Sequence, residues 1–331
     1  MRLIQLINSH GDRRVCLVED NRLRLIGEHH SVYALAQAAL ENEASLSAMV
    51  NRHLTTDELG YDAIYEGRST WRILPPIDHP DEPARCMVSG TGLTHKGSAA
   101  DRQAMHAADT AMTDSMRMFQ WGLEGGRPAA GQVGVSPEWF YKGPGTILRA
   151  HGEPLDVPAY GEDGGEEGEL AGVYLIDSAG RPRRLGMTTG NEFSDHRVEK
   201  QNYLYLATSK LRTCAIGPEL VINPDYTSVP GEVTLERDGV PFWSKPILTG
   251  DAAMSHSLEN MEHHHFKHDA HRRPGDLHIH FFGAAVLSFG EGIELNHGDV
   301  MQVRFEGFGR ALRNPVRIIQ SEKILVDVSP L

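Results

Sequence analysis

Three glutamates flank a predicted β-hairpin and are spaced to bind a metal ion. Glu167 and Glu169 are two residues apart, so on an extended strand both side chains point to one face. A Gly- and Pro-containing turn over residues 177–182 leads into a second strand, which ends just before Glu192. Pairing of the two strands places Glu192 across from the other two acids, with Cβ atoms about 4.5–5.5 Å apart. Three carboxylates this close repel one another unless a cation lies between them, so the spacing predicts a hard divalent metal.

Composition limits the class of protein. The 331 residues suffice for a sizeable core and predict roughly two domains. A formal net charge of −13 argues against nucleic acid or an anionic membrane as a partner. Three scattered cysteines suggest neither a disulfide framework nor a zinc site. The first residues have the pattern of a strand and not of a signal peptide, and no apolar run approaches the ~20 residues of a membrane span. We therefore expect a cytoplasmic protein.

The elements that must position the acids fall into two predicted domains. Residues 1–80 have the pattern of a small α+β domain, with strands over 2–7, 14–19 and 22–26 and a helix capped by Ser31. A proline-rich stretch over residues 74–83 is the predicted linker. Residues 85–331 are mostly β, with short strands between Gly, Pro and Asp turns. The overall expectation is an α+β protein that is mostly β.

Three helices are predicted within the larger domain. The first follows a methionine stripe from Met105 to Met116, near His95, Asp101 and His106, and the others span about 198–206 and 254–267. A histidine-rich segment over residues 256–280 invites a transition-metal interpretation. Its consecutive histidines 263–265 would point in three directions on a helix, so packing, hydrogen bonding or a subunit interface is the better interpretation.

Six stretches together resemble the fumarylacetoacetate hydrolase (FAH) superfamily, in the family order over about residues 85–320. They are Gly90-Thr91-Gly92-Leu93-Thr94-His95-Lys96, Pro137-Glu138-Trp139-Phe140-Tyr141-Lys142-Gly143, Glu167-Gly168-Glu169, Gly186-Met187-Thr188-Thr189-Gly190-Asn191-Glu192-Phe193-Ser194, Ser209-Lys210 with Gly217-Pro218, and Pro274-Gly275-Asp276 with Phe282-Gly283-Ala284. The runs 137–142 and 199–210 most resemble the 2-keto-3-deoxy-sugar-acid dehydratase branch. The chain has Glu192 where the family usually has Asp, and a fourth acidic ligand is not evident at residues 90–92.

The resemblance implies an FAH-like mixed β-roll or barrel catalytic domain, a homodimer, and a 2-keto acid as the small-molecule substrate. It implies Mg²⁺, with Mn²⁺ as an alternative, held by the three glutamates with several waters. Such a metal polarises the ketone and stabilises the enolate formed when C3 loses a proton. The implied reaction is dehydration of a 2-keto-3-deoxy-pentonate to 2,5-dioxopentanoate, in sugar-acid catabolism.

The same resemblance implies site residues beyond the metal ligands. Glu138 and Lys210 are the candidate acid and base, and the sequence does not separate their roles. Lys142 and Arg212 are candidates to position the substrate carboxylate. The remaining implied substrate-binding residues are Thr94, His95, Gly283 and Ala284. Simpler interpretations stay open, since Lys210 could complement a helix dipole and Glu138 could be a first-turn helix acid.

Two other functions remain as alternatives. One is a C–C bond hydrolase of a 2,4-diketo-3-deoxy sugar acid, which would release pyruvate and needs a water-activating pair on residues 94–109. No His–Glu pair at fixed spacing is evident there, which favours the lyase. The other is a non-catalytic sugar-acid-binding protein, against which the three mutually repelling acids argue.

Overall fold

The structure, a computed structural model, describes residues 1–97, 113–322 and 325–331. The predicted helical segment from Met105 to Met112, with Asp101 and His106, lies outside these residues.

The described residues form seventeen strands and seven α-helices. The strands are β1 (Arg2–Asn8), β2 (Arg13–Glu19), β3 (Arg22–Ile26), β4 (Leu54–Gly60), β5 (Trp71–Ile73), β6 (Cys86–Gly92), β7 (Glu138–Pro144), β8 (Leu148–Arg149), β9 (Leu155–Val157), β10 (Gly168–Ile176), β11 (Pro182–Asn191), β12 (Cys214–Val221), β13 (Val229–Arg237), β14 (Val240–Thr249), β15 (Leu277–Phe281), β16 (Val300–Phe305) and β17 (Leu312–Ile318). The helices are α1 (Val32–Glu41), α2 (Leu46–His53), α3 (Tyr61–Tyr65), α4 (Asp114–Gly125), α5 (His196–Gln201), α6 (Leu206–Lys210) and α7 (Leu258–Phe266). Short 3₁₀ turns span Pro83–Arg85, Gly145–Ile147, Tyr203–Tyr205, Asp251–Ala253, Asp269–His271 and Ser288–Glu291.

Two mixed sheets build the fold. A 12-stranded sheet has the order β4-β3-β2-β1-β12-β11-β10-β15-β6-β7, with β5 beside β1 and β8 beside β12. A 5-stranded sheet has the order β14-β13-β16-β17-β9. Most neighbours are antiparallel, whereas three pairs run parallel: β6 with β15, β8 with β12, and β9 with β17. The expectation of a mostly β, α+β fold is confirmed.

The amino-terminal segment joins the larger sheet directly. Its three predicted strands are present as β1, β2 and β3. Ser31 caps α1 as predicted, since its Oγ accepts a hydrogen bond of 3.0 Å from the Ala34 N–H. Strand β1 pairs with β12 through Leu3 and Leu220, so hydrogen bonds of one sheet cross the predicted domain boundary. The division into residues 1–80 and 85–331 stays a prediction.

The β10–β11 hairpin lies between two hydrophobic cores. All nine residues of β10 are buried. Ala171 and Val173 face a core shared with α1 and α2, whereas Leu170 faces a core shared with the 5-stranded sheet. Gly168 allows this second sheet to approach, because a Cβ there would lie 2.6 Å from Val233 Cγ2. A hairpin packed on both faces holds its side chains in fixed positions.

Two predicted helices differ from the observed ones in their limits. The helix expected over 198–206 is interrupted at Asn202, whose extended backbone ends α5 and whose side chain accepts a hydrogen bond of 3.0 Å from the Leu204 N–H. A 3₁₀ turn and α6 then follow. The helix expected over 254–267 begins only at Leu258, because Ser257 caps it. No helix within the described residues is long and apolar enough to cross a membrane.

Candidate active site

The three glutamates meet at one end of the β10–β11 hairpin, as the sequence spacing predicts. Glu169 lies on β10, Glu167 directly precedes that strand, and Glu192 directly follows β11. The Glu192 N–H donates a hydrogen bond of 2.9 Å to the Glu167 carbonyl, which fixes the register. One carboxylate oxygen from each residue lies within 4.8 Å of the others. Within residues 1–97, 113–322 and 325–331, this is the one group of His, Cys, Asp or Glu side chains placed to hold a metal ion.

Two buried lysines partly compensate the charge of these acids. Lys210 Nζ contacts Glu167 Oε1 and donates a hydrogen bond of 2.6 Å to Glu192 Oε2. Lys142 Nζ contacts Glu192 Oε1. It also donates to the carbonyls of Phe193 and Lys210, at 2.7 and 3.0 Å. Three carboxylates and two ammonium groups leave a formal excess of one negative charge in a site closed to solvent.

Burial and neighbouring charges shift the pKa values of the three acids. Burial, together with the negative charges of Glu192 and Glu167, raises the pKa of Glu169 well above its ordinary value. Burial and the charge of Glu167 likewise raise the pKa of Glu192, against the opposing effect of the two lysines. Burial opposes ionisation of Glu167 as well, but Lys210 and His196 outweigh it and hold its pKa well below the usual range. The donor set therefore fits a hard cation, which would relieve the repulsion among the three carboxylates.

Neighbouring groups orient each carboxylate. The Gly283 N–H donates to Glu169 Oε2 at 2.6 Å, and His196 Nε2 lies 3.1 Å from Glu167 Oε1. Ser194 Oγ lies 3.2 Å from both carboxylate oxygens of Glu192. Groups that hold ligands in this way tune metal affinity. Ser194 and His196 closely follow Glu192 in the chain, but no sequence pattern predicted a role for either residue.

Glu138 begins strand β7 and is buried, so its interpretation as a first-turn helix acid is wrong. Its Oε2 accepts a hydrogen bond of 2.7 Å from the Tyr203 hydroxyl. Phe140, two residues further along the same face of β7, lies under the Lys210 ammonium at 4.8 Å from ring centroid to Nζ. The two candidate acid–base residues thus share one face of the sheet. Tyr203 was missed by the sequence analysis.

Thr94 and His95 take part in a buried hydrogen-bond chain beside Gly283. The Thr94 hydroxyl donates to the Phe282 carbonyl at 2.8 Å and lies 2.9 Å from His95 Nδ1. Burial lowers the pKa of His95 to about 4, so the ring is neutral at pH 7. Gly283 has φ of +100°, and a Cβ there would lie 2.1 Å from Thr94 Oγ1. These contacts fix the position of the Gly283 backbone N–H, which donates a hydrogen bond to Glu169.

Arg212 and Ala284 are also buried. The Arg212 guanidinium donates to Asp195 Oδ2 at 2.7 Å and to the Asp163 carbonyl at 2.6 Å. Asp195 in turn caps α5, so Arg212 holds that helix against the loop before Glu167. The substrate-binding roles of Thr94, His95, Lys142, Arg212, Gly283 and Ala284 stay predictions.

The histidine-rich segment forms a hydrogen-bonded cluster on the opposite face of the sheet. His280 lies 2.9 Å from Ser89 Oγ through Nδ1 and 2.7 Å from Thr91 Oγ1 through Nε2. The side chain of Trp139 points away from Glu138 and Phe140 on β7. Its indole N–H donates a hydrogen bond of 3.1 Å to His265. These contacts fit the interpretation of packing and hydrogen bonding.

Comparisons with known proteins agree with the fold and the motifs. No protein-family model matches the chain. A probable 2-keto-3-deoxyxylonate dehydratase of Haloferax volcanii is 28% identical over 189 residues, which span 55% of this chain and 61% of that relative, less than two thirds of its length. A solved 2-keto-3-deoxy-D-arabinonate dehydratase, complexed with magnesium and 2,5-dioxopentanoate, superposes with a TM-score of 0.71 at 22% identity, covering 97% of this chain and 100% of that one.

A second solved structure, the 5-carboxymethyl-2-hydroxymuconate delta-isomerase of Mycobacterium smegmatis, gives a TM-score of 0.59 at 18% identity, covering 96% and 100% of the two chains. The fold is therefore shared with both a dehydratase and an isomerase, while the sequence similarity is to a dehydratase. The resemblance of this chain to a sugar-acid dehydratase in sequence, and to a dehydratase and an isomerase in fold, is confirmed.

Proposed function

We propose that this protein is a Mg²⁺-dependent dehydratase of a 2-keto-3-deoxy sugar acid, converting a 2-keto-3-deoxy-pentonate to 2,5-dioxopentanoate. The observation that carries the proposal is the buried cluster of three carboxylates with Lys210 and Lys142 in contact. The similarity to dehydratases of such acids supports it. The same proposal includes a homodimer, which light scattering would test, and a cytoplasmic location, which cell fractionation would test.

Glu167, Glu169 and Glu192 would hold the metal, since Mg²⁺ prefers carboxylate oxygens and keeps several waters; Mn²⁺ tolerates the same ligands. When bound, the ion would supply a Lewis acid for the keto oxygen and so favour loss of the C3 proton. The charges support an anionic substrate. A divalent ion changes the formal excess in the site from one negative to one positive charge, which matches a single carboxylate.

Glu138 and Lys210 are the proposed proton-transfer groups. One takes the proton from C3 and the other protonates the C4 hydroxyl, which leaves as water. Further proton shifts convert the C5 carbinol to the aldehyde, so the overall change is loss of one water without any oxidant. Lys142, held by two backbone carbonyls, stays in place beside Glu192 and contributes positive charge.

The direct test incubates the protein with Mg²⁺ and 2-keto-3-deoxy-pentonate and measures 2,5-dioxopentanoate. We expect product with the wild-type protein and none with Glu169→Gln, which keeps the shape of the side chain but removes a ligand charge. Pyruvate released from a 2,4-diketo-3-deoxy acid would instead support the hydrolase. Calorimetric binding of the pentonate without turnover at any Mg²⁺ concentration would support the sugar-acid-binding protein.

A further inference from the structure

A buried acid directly precedes the proposed metal ligands without being one of them. Glu166 is 1% exposed, and its place in the extended run 165–169 points its side chain away from Glu167 and Glu169. Its Oε1 accepts a hydrogen bond of 2.8 Å from the Ser288 N–H, and its Oε2 accepts one of 2.8 Å from the Ser288 hydroxyl. Burying a carboxylate is unfavourable unless hydrogen bonds compensate it, and an apolar side chain would fill the same space without that cost. Stability alone therefore does not account for Glu166.

Glu166 and Glu169 hold the two ends of one segment, residues 283–288, which we call the strap. At the first residue of the strap, the Gly283 N–H donates to Glu169 Oε2 at 2.6 Å. At the last residue, Ser288 donates to Glu166 through both its N–H and its hydroxyl. The middle of the strap packs against the core shared with the 5-stranded sheet. The strap therefore passes from the metal side of the hairpin end to its other side and is fastened on both.

We propose that Glu166 is a positioning residue for the metal site. Through Ser288 it fixes one end of the strap, and the fixed strap keeps the Gly283 N–H on Glu169. Glu166 thus orients a metal ligand from the other face of the hairpin, in the way that outer-shell partners orient the ligands of metal sites. The inference rests on the proposed function, and it extends to the substrate because Ala284, a predicted substrate-binding residue, also lies on the strap.

The strap and the proposed proton-transfer groups belong to different parts of the fold. Glu138 begins β7 and Lys210 ends α6, whereas the strap follows β15. Loosening the strap should therefore weaken the binding of metal and substrate while leaving the proton transfers in place. A general loss of folded structure would instead impair binding and proton transfer together.

The test measures Mg²⁺ affinity by calorimetry without any sugar acid, and then KM and kcat for 2-keto-3-deoxy-pentonate at saturating Mg²⁺. We expect Glu166→Ala to weaken Mg²⁺ binding by about tenfold or more and to raise KM, with kcat changed by less than about twofold. Ser288→Ala, which loses only the hydroxyl, should act in the same direction to a smaller extent. Glu166→Gln should restore wild-type values, because its amide oxygen can accept the Ser288 N–H and its amide N–H can donate to the hydroxyl oxygen.

Glu219→Ala is the matched control, because Glu219 is also buried and also accepts a backbone N–H, that of Arg310 at 3.1 Å. It should lower the melting temperature and leave Mg²⁺ affinity at the wild-type value. A loss of Mg²⁺ affinity in Glu219→Ala as large as that in Glu166→Ala would reduce the effect to lost stability and overturn the proposal. Should Glu166→Ala fail to fold, Ser288→Ala carries the same test.

Three further results would overturn the positioning role. They are wild-type Mg²⁺ affinity in Glu166→Ala and Ser288→Ala, a loss in Glu166→Gln equal to that in Glu166→Ala, and a fall in kcat with KM unchanged. Absence of Mg²⁺ binding by the wild-type protein would overturn both this inference and the proposed function. A wild-type protein that binds Mg²⁺ but does not dehydrate the pentonate would refute only the proposed function, and the Mg²⁺ affinities of the variants would still decide the role of Glu166.

Discussion

Replacing His280 by asparagine should change stability in a strongly pH-dependent way. The ring is 1% exposed on β15. Burial, and then the neighbouring His278 and His271, lower the pKa of His280 to about 3. Below about pH 6.5 the unfolded chain therefore binds a proton at this residue while the folded chain does not. The folded state consequently loses stability as the pH falls from about 6.5 towards 3.

The magnitude follows from these two pKa values. Between about pH 7.5 and about pH 5, proton uptake by the unfolded chain lowers the free energy of unfolding by about 2 kcal/mol through this one histidine. The asparagine variant loses the ring's hydrogen bonds with Ser89 and Thr91, which costs about 1–3 kcal/mol at the higher pH. Asparagine takes up no proton in the unfolded chain. The difference in free energy of unfolding between wild type and variant should therefore be about 2 kcal/mol smaller at the lower pH.

Urea unfolding followed by circular dichroism, in EDTA at both pH values, measures the effect. Buried acids with a raised pKa, such as Glu169, have the opposite effect on stability, since they stabilise the folded state as the pH falls. These acids are present in both proteins, so subtracting the wild-type stability from that of the variant removes their contribution. His10→Asn is the control, because His10 is exposed and lies outside the histidine-rich segment. A His280→Asn deficit that differs by less than about 0.5 kcal/mol between the two pH values would refute the reasoning.

Three further predictions concern the metal site and the helix cap. Glu192→Ala removes a proposed ligand and should weaken Mg²⁺ binding by about a hundredfold or more in calorimetry; unchanged affinity would show that the hairpin is not the site. Gly283→Ala should weaken Mg²⁺ binding by about ten- to a hundredfold, because the new methyl would clash with Thr94 and move the backbone N–H that donates a hydrogen bond to Glu169. Wild-type Mg²⁺ affinity in this variant would contradict the role of Gly283 in orienting Glu169. Ser31→Ala should lower the free energy of unfolding by about 1 kcal/mol in urea, while leaving Mg²⁺ affinity unchanged.

Local signals in the sequence were sufficient for several features. The two-residue spacing of Glu167 and Glu169, and the turn before the strand leading to Glu192, predicted a hairpin that brings three carboxylates together. The cap at Ser31 and the first three strands also followed from local pattern. These features depend on residues near one another in the chain, where strand alternation and capping chemistry act directly. The limits of the helix expected over 198–206 were missed because the hydrogen bond that the Asn202 side chain accepts from the Leu204 N–H competes with the helix and outweighs helix propensity.

The tertiary structure alone decided what surrounds the acids. Glu169 and its backbone donor Gly283 are 114 positions apart in the chain, and Glu138 and Tyr203 are 65 apart. Such contacts depend on which strands become neighbours in the sheet and on where a helix is interrupted, and neither is encoded in local periodicity. The sequence by itself determined that three carboxylates would meet. The fold decided that they meet in a buried site with two lysines, because only packing of distant segments excludes water and brings compensating charges within hydrogen-bond distance.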